Sequence, residues 1–350
     1  MIQGYGYLYF ASSEHGIYRS RTDAAWEEIA DPILDVSAHR SFFVAAHPSK
    51  PVLYSIDLWA GAISAYRAGD HGRLSLLNRR STRGEAPCHL AVEARGVFMI
   101  VTNYKGGVVL IPLEDDGSLG EVRADMRFEG KGPHPIRQTA SHPHGVALGC
   151  LGLGPFAYVA DLGTDRIDVV EIEPATLQMT LRPGLGGSVP PGGGPRHFLF
   201  DPSGRRAIAV NELASSITIF NCDAGTGAIR PLETVQTVSA KYEEPNTTAE
   251  GGFHPTLPVA YVTNRGHDSL AVVAFANEGT TRLQSCVPAG GSGPQHLLVN
   301  SGGKKLLLAN TNSDQVAVFN LCTETGEPMA MDKTLTIARP MCMAYIALHR

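Results

Sequence analysis

The sequence has almost none of the signals that mark α-helices. Glycine occupies 38 and proline 23 of its 350 positions, and together they interrupt nearly every window long enough for three helical turns. It also has no apolar run near the roughly 18 residues needed to cross a bilayer, and no basic and apolar leader opens the chain. These absences predict an all-β protein of strands and turns that does not have a membrane as a partner.

Paired cysteines are also missing. The chain has six cysteines, none of them in a CxxC pair or a metal-ligand spacing, and several lie in apolar stretches typical of strands. Buried thiols of this kind behave as small hydrophobic core residues. We therefore expect reduced cysteines in a cytoplasmic protein. The six positions are Cys88, Cys150, Cys222, Cys286, Cys322 and Cys342.

No region carries a concentrated charge, and the common cofactor motifs are absent. The formal net charge is -5 with Lys and Arg scattered, which argues against nucleic acid as a partner. The Gly-rich run 184–194 lacks the Lys-Ser/Thr of a phosphate-binding loop, and the chain has no GxSxG motif. The only HxH pattern is His142-Pro143-His144, and HExxH is absent. We expect neither a metal nor any other cofactor.

What the chain does contain is a repeat. The pattern Pro-Xaa-His followed by an apolar residue occurs at 87–90, 195–198 and 294–297, and an asparagine follows 16 residues after each proline. Three matches of both motif and spacing are too many for coincidence. The chain is therefore built from repeated units.

Six Asp or Asn positions extend this repeat along the chain. Each follows a short apolar run and precedes an apolar residue by six positions, and the gaps between them are 46, 58, 50, 53 and 46 residues. A period near fifty residues with four short strands per unit is typical of β-propeller blades, which bury both faces only by stacking on their neighbours. The six positions are Asp57, Asn103, Asp161, Asn211, Asn264 and Asn310.

The two ends of the chain complement each other. Residues 339–344 resemble the first strand of a repeat, whereas 7–11 and 16–20 resemble the later strands of one. A blade shared between the termini would be the seventh and would leave no open sheet edge. We predict a single seven-bladed β-propeller domain over residues 1–350, with its last blade closed by strands from both termini.

Polar residues near the inner strands are of two kinds. Histidines that recur in register are expected to hydrogen-bond a neighbouring blade, whereas residues that differ between blades are expected to form the site. The recurring histidines are His89, His197 and His296. The residues that differ are His144, Arg196, Glu212 and Arg265. Three long segments, 126–141, 184–195 and 236–252, lead into inner strands and predict the face of the channel on which the site lies.

The residues that differ have a definite chemistry. Two guanidiniums indicate an anionic substrate, because their planar fork binds carboxylate or phosphate at two points. His144 and Glu212 suit general acid–base catalysis of water attack on an ester carbonyl, and either could be the base. We expect substitutions there to leave stability almost unchanged, because a site in an open channel is not core. Substrate binding is assigned to Arg196, Arg265, His142, His197, Asn103 and His267.

Four motifs occur in order along the chain: Ala-Asp-Leu-Gly-Thr-Asp-Arg at 160–166, Gly-Pro-Arg-His at 194–197, Val-Asn-Glu-Leu at 210–213 and Asn-Arg-Gly-His-Asp-Ser at 264–269. Together they resemble the seven-bladed propeller lactonases, which include the propeller type of 6-phosphogluconolactonase and the carboxymuconate lactonizing enzyme. The likeness covers essentially the whole chain. It implies a metal-independent enzyme with its site at the channel mouth, His144 and Glu212 as acid–base residues, and Arg196 and Arg265 as anion ligands.

One blade departs from the family pattern. Where the family usually has Arg-Asn or a similar pair, this chain has Gln295-His296, and the family's Ala-Asn-Gln becomes Ala309-Asn310-Thr311. The loss of one cation predicts a substrate with fewer negative charges than a sugar phosphate. Lactone chemistry itself is unaffected by the change.

Three functions fit these observations. The first is hydrolysis of a sugar-acid lactone, phosphorylated or not. The second is cyclisation of an unsaturated diacid of the carboxymuconate type, which would use the same residues. The third is a non-catalytic propeller that binds a peptide or protein, but its charged residues line a narrow channel and not a broad surface.

Overall fold

The structure is a computed structural model that describes residues 5–37, 40–149, 155–275 and 281–348. Within these ranges the chain forms seven antiparallel sheets, which we number as blades 1 to 7 in chain order. The first strands of successive blades contact one another in a closed circle and line a central channel. The predicted seven-bladed all-β propeller is therefore confirmed.

Each blade runs from an innermost strand at the channel to an outermost strand at the rim, and its strands follow in that order. Blade 1 comprises Phe43–Ala46, Val52–Asp57, Ala62–Ala68 and Leu74–Ser81. Blade 2 comprises Glu85–Val92, Phe98–Lys105, Gly107–Pro112 and Ala124–Met126. Blade 3 comprises Pro143–Leu148, Phe156–Asp161, Arg166–Ile172 and Met179–Leu181, with Gly187–Ser188 also paired to its third strand. Blade 4 comprises Pro195–Phe200, Arg206–Asn211, Ser216–Cys222 and Ile229–Gln236.

The remaining blades follow the same plan. Blade 5 comprises Thr247–Phe253, Val259–Arg265, Ser269–Ala274 and Arg282–Pro288. Blade 6 comprises Pro294–Val299, Lys305–Asn310, Gln315–Leu321 and Pro328–Thr336. Blade 7 comprises Pro340–Leu348, Tyr5–Ser12, Gly16–Asp23 and Ile33–Ser37. In the described residues the helices are two short 3-10 turns, Asp70–Gly72 and Thr311–Ser313, and neither is long and apolar enough to cross a membrane.

Blade 7 joins the two ends of the chain. Its inner strand, Pro340–Leu348, is the last in sequence, and it pairs antiparallel with the first strand of the chain, Tyr5–Ser12. Tyr9 lies opposite Ala344 in this register, and both are buried. The predicted closure of the last blade by strands from both termini is confirmed.

The hydrophobic core lies between the blades. Apolar side chains from the two middle strands of each sheet pack against the next sheet, and the described residues form one such cluster at each of the seven blade interfaces. Strands buried on both faces in this way require nearly continuous apolar sequence, as in Phe98-Met99-Ile100-Val101. A single blade has no such neighbour, which is why the repeats fold as a ring.

A repeated tyrosine ties neighbouring blades together. Tyr54 is fully buried on the second strand of blade 1, and its hydroxyl donates to the carbonyl of Gly117 in the outer hairpin of blade 2 at 2.8 Å. Tyr158 and Tyr261 make the same bond to glycines of the next blade. Gly117 has φ +85°, so the turn that presents its carbonyl favours glycine. Similar outer turns lie between the third and fourth strands of blades 1, 2 and 6, at 69–74, 114–119 and 322–327.

Five of the six cysteines lie in the described residues. Cys88 and Cys342 are buried, as expected for core residues. Cys222, Cys286 and Cys322 are only partly buried. Cys150 lies outside the described residues.

Candidate active site

A bulge in the inner strands directs varied side chains to one end of the channel. In blade 4, Pro195 pairs with Asn211 and His197 with Val210, so Arg196 between them has no partner in the ladder. A bulged residue leaves the regular alternation of the strand and its side chain is re-aimed. The corresponding extra residues of blades 2, 3 and 6 are Cys88, His144 and Gln295. The same bulge therefore presents a different side chain in each of these four blades.

The second set of site residues follows the repeated asparagines. Asn103 is fully buried, and its Nδ2 donates to the carbonyl of Thr82 at 3.0 Å. Asn264 and Asn310 make the same kind of bond, to the carbonyls of Thr237 and Ala289. The structure thus places Asn103, which the sequence assigned to substrate binding, in a repeated backbone contact. The residues after the asparagines, Tyr104, Glu212, Arg265 and Thr311, lie at the channel end.

Glu212 is the centre of the site, and three guanidiniums surround its carboxylate. Arg137 Nη2 lies 2.8 Å from Oε1, while Arg196 Nε and Arg265 Nη2 lie 3.3 and 3.2 Å from Oε2. Burial opposes ionisation of Glu212, but the attraction of Arg265 and its neighbours prevails and lowers the pKa of Glu212 to about 2. Glu212 is therefore a carboxylate at any physiological pH, and a weak base.

Backbone carbonyls hold two of these guanidiniums in place. Arg196 Nη1 donates to the carbonyl of Ala249 at 2.6 Å, and Arg265 Nη2 donates to that of Thr248 at 2.9 Å. Nε of Arg196 and Nε of Arg265 are buried without a hydrogen-bond partner in the described residues. The pair is thus fixed in position while part of its donor capacity is unused.

His144 lies beside this cluster as a neutral imidazole. Burial and the nearby charge of Arg196 lower its pKa well below 6.5. Its Nδ1 is buried and has no hydrogen-bond partner within the described ranges. The backbone is fixed, because the carbonyl of His144 accepts a hydrogen bond from Thr102 Oγ1 at 2.9 Å. An unprotonated imidazole held in this way can accept a proton.

Tyr104 connects His142 and His144 to the cluster. The ring of His142 stacks on Tyr104 with centroids 4.3 Å apart, and the ring of His144 meets Tyr104 edge-on at 5.8 Å. The Tyr104 hydroxyl lies 3.5 Å from Arg137 Nη2, which also contacts Glu212. The structure therefore brings together His142, His144, Arg196, Glu212 and Arg265, as the sequence predicted.

His197 and His267 lie differently. His197 is buried, and its ring bonds Arg196 Nη1 at 3.0 Å and Glu250 Oε1 at 2.7 Å, so it supports the arginine from behind. His267 bonds Ser269 Oγ at 2.7 Å and packs edge-on against Tyr242. These contacts point His267 towards the 236–246 segment and not towards Glu212.

One sequence expectation needs correction here, and one site residue was not predicted. Glu212, Arg196 and His144 are only 5%, 4% and 7% exposed, so they are buried residues and the expectation that stability is indifferent to them is wrong. Arg137 was also missed. Arg137 lies in the part of the 126–141 segment that forms no strand, so no repeat in the sequence distinguishes it from its neighbours. The only available signal was the predicted position of that segment on the channel face. The adjacent Gln138 is buried and bonds Asp165 Oδ1 at 2.6 Å, which fixes the backbone there.

Across the described residues there is no group of three or more His, Cys, Asp or Glu side chains arranged to hold a metal ion. The cluster of Glu212 and three arginines is instead suited to anions. Guanidiniums bind carboxylate and phosphate oxygens through charge-assisted hydrogen bonds.

The chain is similar to known proteins over almost its whole length. The chain is 26% identical over 357 residues to 6-phosphogluconolactonase of Bacillus subtilis, covering 98% of each. It is 23% identical to an uncharacterized protein of Staphylococcus aureus, covering 99% of this chain and all of that one. A solved structure from Lactobacillus plantarum superposes with a TM-score of 0.89 at 25% identity, covering 99% of this chain and 100% of that one.

A further solved structure has the same fold. A periplasmic gluconolactonase of Pseudomonas aeruginosa gives a TM-score of 0.88 at 24% identity, covering 98% of this chain and 99% of that one. The family model described as lactonase, 7-bladed beta-propeller, matches residues 7–345. The chain therefore belongs to the seven-bladed β-propeller lactonase family.

Proposed function

We propose that this protein hydrolyses the lactone of a sugar acid. The observation that carries the proposal is that three guanidiniums surround Glu212 beside the neutral imidazole of His144, whose Nδ1 has no hydrogen-bond partner among the described residues. The first group binds an anionic substrate and the second accepts a proton. Relatives named 6-phosphogluconolactonase support the same reaction class.

Positive charge exceeds negative charge in this cluster, since three arginines share one carboxylate. An anionic substrate therefore binds without displacing Glu212 from all of its partners. Arg196 and Arg265 are the best placed to hold the lactone carbonyl, because backbone carbonyls already fix their orientation. Such preorganised donors stabilise the oxyanion that forms when water adds to the carbonyl.

His144 is the better candidate for the base. Glu212, with its pKa lowered to about 2, has little affinity for a proton near neutral pH. The imidazole of His144 is neutral there and has a free, buried Nδ1. In this scheme His144 takes the proton from the attacking water and returns it to the leaving alkoxide, while Glu212 holds the guanidiniums in position.

The third guanidinium also favours a second candidate. Arg137 makes the site more basic than two arginines would, and a strongly basic site suits an unsaturated diacid that cyclises by adding a carboxylate to its double bond. The same residues would serve that reaction, with the proton delivered to the adjacent carbon.

The test is a panel of aldonolactones, phosphorylated and unphosphorylated, with proton release followed at neutral pH, with and without a chelator. We expect release from one lactone that survives chelation and is lost in His144→Ala. If no lactone is hydrolysed but a muconate-type diacid is cyclised, the second candidate replaces the first. If neither reaction occurs, the chain is a binding propeller and the proposal is wrong.

A further inference from the structure

A cavity of about 330 Å³ lies next to Arg265 at the same end of the channel as Glu212. Blades 5, 6, 7 and 1 contribute to it, whereas Tyr104, His142, His144 and Glu212 come from blades 2, 3 and 4. Its size falls within the range of small-molecule sites. The lining residues are Ser13, Phe42, Trp59, Arg265, Gly293, Gln295, Thr311, Asn312, Arg339 and Met341.

Trp59 forms an exposed aromatic wall of this cavity. It lies in the turn between the second and third strands of blade 1 and is 53% exposed, although large apolar side chains are usually buried. Phe42 supports it edge-on with ring centroids 6.5 Å apart, and the Arg40 guanidinium lies 5.5 Å from its ring centre. A rigid aromatic face with one side free is suited to pack against the C–H face of a carbon chain or sugar ring.

Arg339 supplies positive charge to the cavity. Its backbone has φ +42°, a left-handed conformation that residues other than glycine adopt only when their surroundings impose it. Its N–H donates to Asp314 Oδ1 at 2.8 Å, and its carbonyl accepts from Ser13 N–H at 3.2 Å. The described lining contains two arginines, Arg265 and Arg339, and no Asp or Glu.

We propose that this cavity is the subsite for the far end of the substrate, and that it takes a polyol chain ending in an anionic group. Trp59 packs against the chain, and Arg339 binds the terminal anion. Gln295, where the inner strand of blade 6 lacks a cation, lines the same cavity, so Arg339 of blade 7 provides the charge that blade 6 does not. The identity of the ligand as a polyol chain rests on the proposed lactonase function. The existence of the subsite does not.

The protein has two tryptophans, which makes the subsite directly observable. Trp26 is 3% exposed between blades 6 and 7, so its emission serves as an internal reference. The probes are three open-chain acids with the same six-carbon chain: 6-phosphogluconate, glucarate and gluconate, which end in phosphate, carboxylate and hydroxyl. We call the first two the dianionic acids because each has an anionic group at both ends. Titration of the wild type with 6-phosphogluconate or glucarate should give a saturable change in Trp59 emission, with calorimetry giving the affinity.

Three variants separate the roles of the two residues. Trp59→Phe keeps a flat ring, so binding should survive while the emission change disappears. Trp59→Ala should weaken all three acids by about 5-fold to 10-fold, because they share the carbon chain. Arg339→Met should weaken the two dianionic acids by about 10-fold and leave gluconate unchanged, as expected for one lost charge-assisted hydrogen bond. Arg230→Met, at an exposed position on the outer strand of blade 4, is the matched control.

The outcomes keep this inference apart from the proposed function. If no lactone is turned over but Trp59 responds to the dianionic acids, the subsite stands and the lactonase proposal falls. If lactones are hydrolysed and calorimetry detects binding while Trp59 emission is unchanged, the subsite is wrong. It is also wrong if Arg339→Met weakens gluconate as much as the other two acids, or if the wild type does not prefer the dianionic acids.

Discussion

The two ends of the channel are built by the same inner strands but differ in chemistry. At one end, Glu212 and three arginines form a charged cluster. At the other, a cavity of about 550 Å³ is lined mostly by apolar side chains such as Phe43, Leu199 and Met343, with His89, His296 and Glu250 among its polar members. Adjacent residues of one strand, such as Gln295 and His296, therefore line different cavities.

The difference separates structural from functional positions. The recurring histidines lie towards the apolar end and contact neighbouring blades: His89 Nδ1 accepts from the Val146 N–H of blade 3 at 3.3 Å, and His197 bonds Glu250 of blade 5. The predicted hydrogen bond to the backbone of a neighbouring blade is confirmed for His89, whereas His197 bonds a side chain. The bulged residue before each histidine varies from blade to blade, and in blade 4 it is Arg196 of the charged end. We expect substitutions at the two ends to have correspondingly different effects.

The largest effect is expected from His144→Asn, which removes the base but keeps a polar side chain of similar size. The value of kcat should fall by about 10³-fold with little change in KM, within the range for lost acid–base catalysis. His296→Asn at the apolar end is the matched control and should keep kcat within about 3-fold of wild type. Equal losses in the two variants would mean that the ends do not differ as proposed.

Glu212→Gln should have the next largest effect, and on two properties. The guanidiniums lose their common anion, so we expect kcat/KM to fall by about 10²-fold because the substrate is no longer correctly positioned. Uncompensated buried charge should also lower the free energy of unfolding by roughly 3 kcal/mol. Urea denaturation monitored by circular dichroism measures the second effect. An unchanged unfolding midpoint would contradict the role given to the carboxylate.

Arg137→Met should act mainly on binding. Arg137 is the most exposed of the three guanidiniums, with 37% of its side chain accessible, against 5% for Arg196. We expect KM to rise by about 10-fold while kcat changes little, as for loss of one charge-assisted contact to the substrate. Arg127→Met, in the same segment, is the control. A fall in kcat with KM unchanged would instead place Arg137 at the reacting atoms.

The smallest expected effect is the pH dependence. A base must be unprotonated, so kcat/KM is retained above the pKa of His144, which burial lowers well below 6.5, and is lost as pH falls through that value. The decline should therefore lie at pH values well below 6.5, and His144→Asn should lack it. Glu212, with its pKa lowered to about 2, has its own titration only in strong acid. If the variant keeps the same acid limb, another group is the base.

Stability should also depend on pH, with the same sign. The folded-state pKa of Glu212 is depressed from 4.5 to about 2, so its contribution is present above the unfolded value and is lost as pH falls from 4.5 towards 2. His144 is buried and neutral in the folded protein, so below pH 6.5, its ordinary pKa, the unfolded state binds a proton that the folded state does not. Stability therefore falls further as the pH drops below 6.5. Both ends of the channel lose stability in acid, since His89 and His197 are buried with lowered pKa values as well.

The fold could be predicted because each blade repeats the same sequence pattern. Each blade has a buried second strand with Asp, Asn or Ser at or near its end, so the near-fifty-residue spacing was visible in sequence. The cluster was predictable where the residue type at an equivalent position differs between blades, as it does at Arg196 and Glu212. Arg137 and Arg339 were not, because one lies in a strandless segment and the other directly before an inner strand. The three-dimensional packing of the blades brings Arg137 and Arg339 to the channel end, and no local sequence pattern shows it.

Asn103 shows a further limit of reading single positions in a sequence. A polar residue at the end of a buried strand has the same appearance in sequence whether it faces a ligand or a backbone carbonyl. Its recurrence at Asn264 and Asn310 was the available signal, and the bonds to Thr82, Thr237 and Ala289 show that the repeat serves the architecture. Repetition distinguishes scaffold from site more reliably than residue type does.

The shared blade has a consequence for the order of events during synthesis. Strand Pro340–Leu348 leaves the ribosome after every other described strand, yet it forms the inner edge of blade 7, and it begins directly after Arg339 and contains Met341. One edge of the first strand, Tyr5–Ser12, therefore stays unpaired until the last strand has been made. A nascent chain that stops short of residue 340 has an unclosed ring and no complete cavity beside Arg265. The proposed subsite is therefore complete only when the last strand is made.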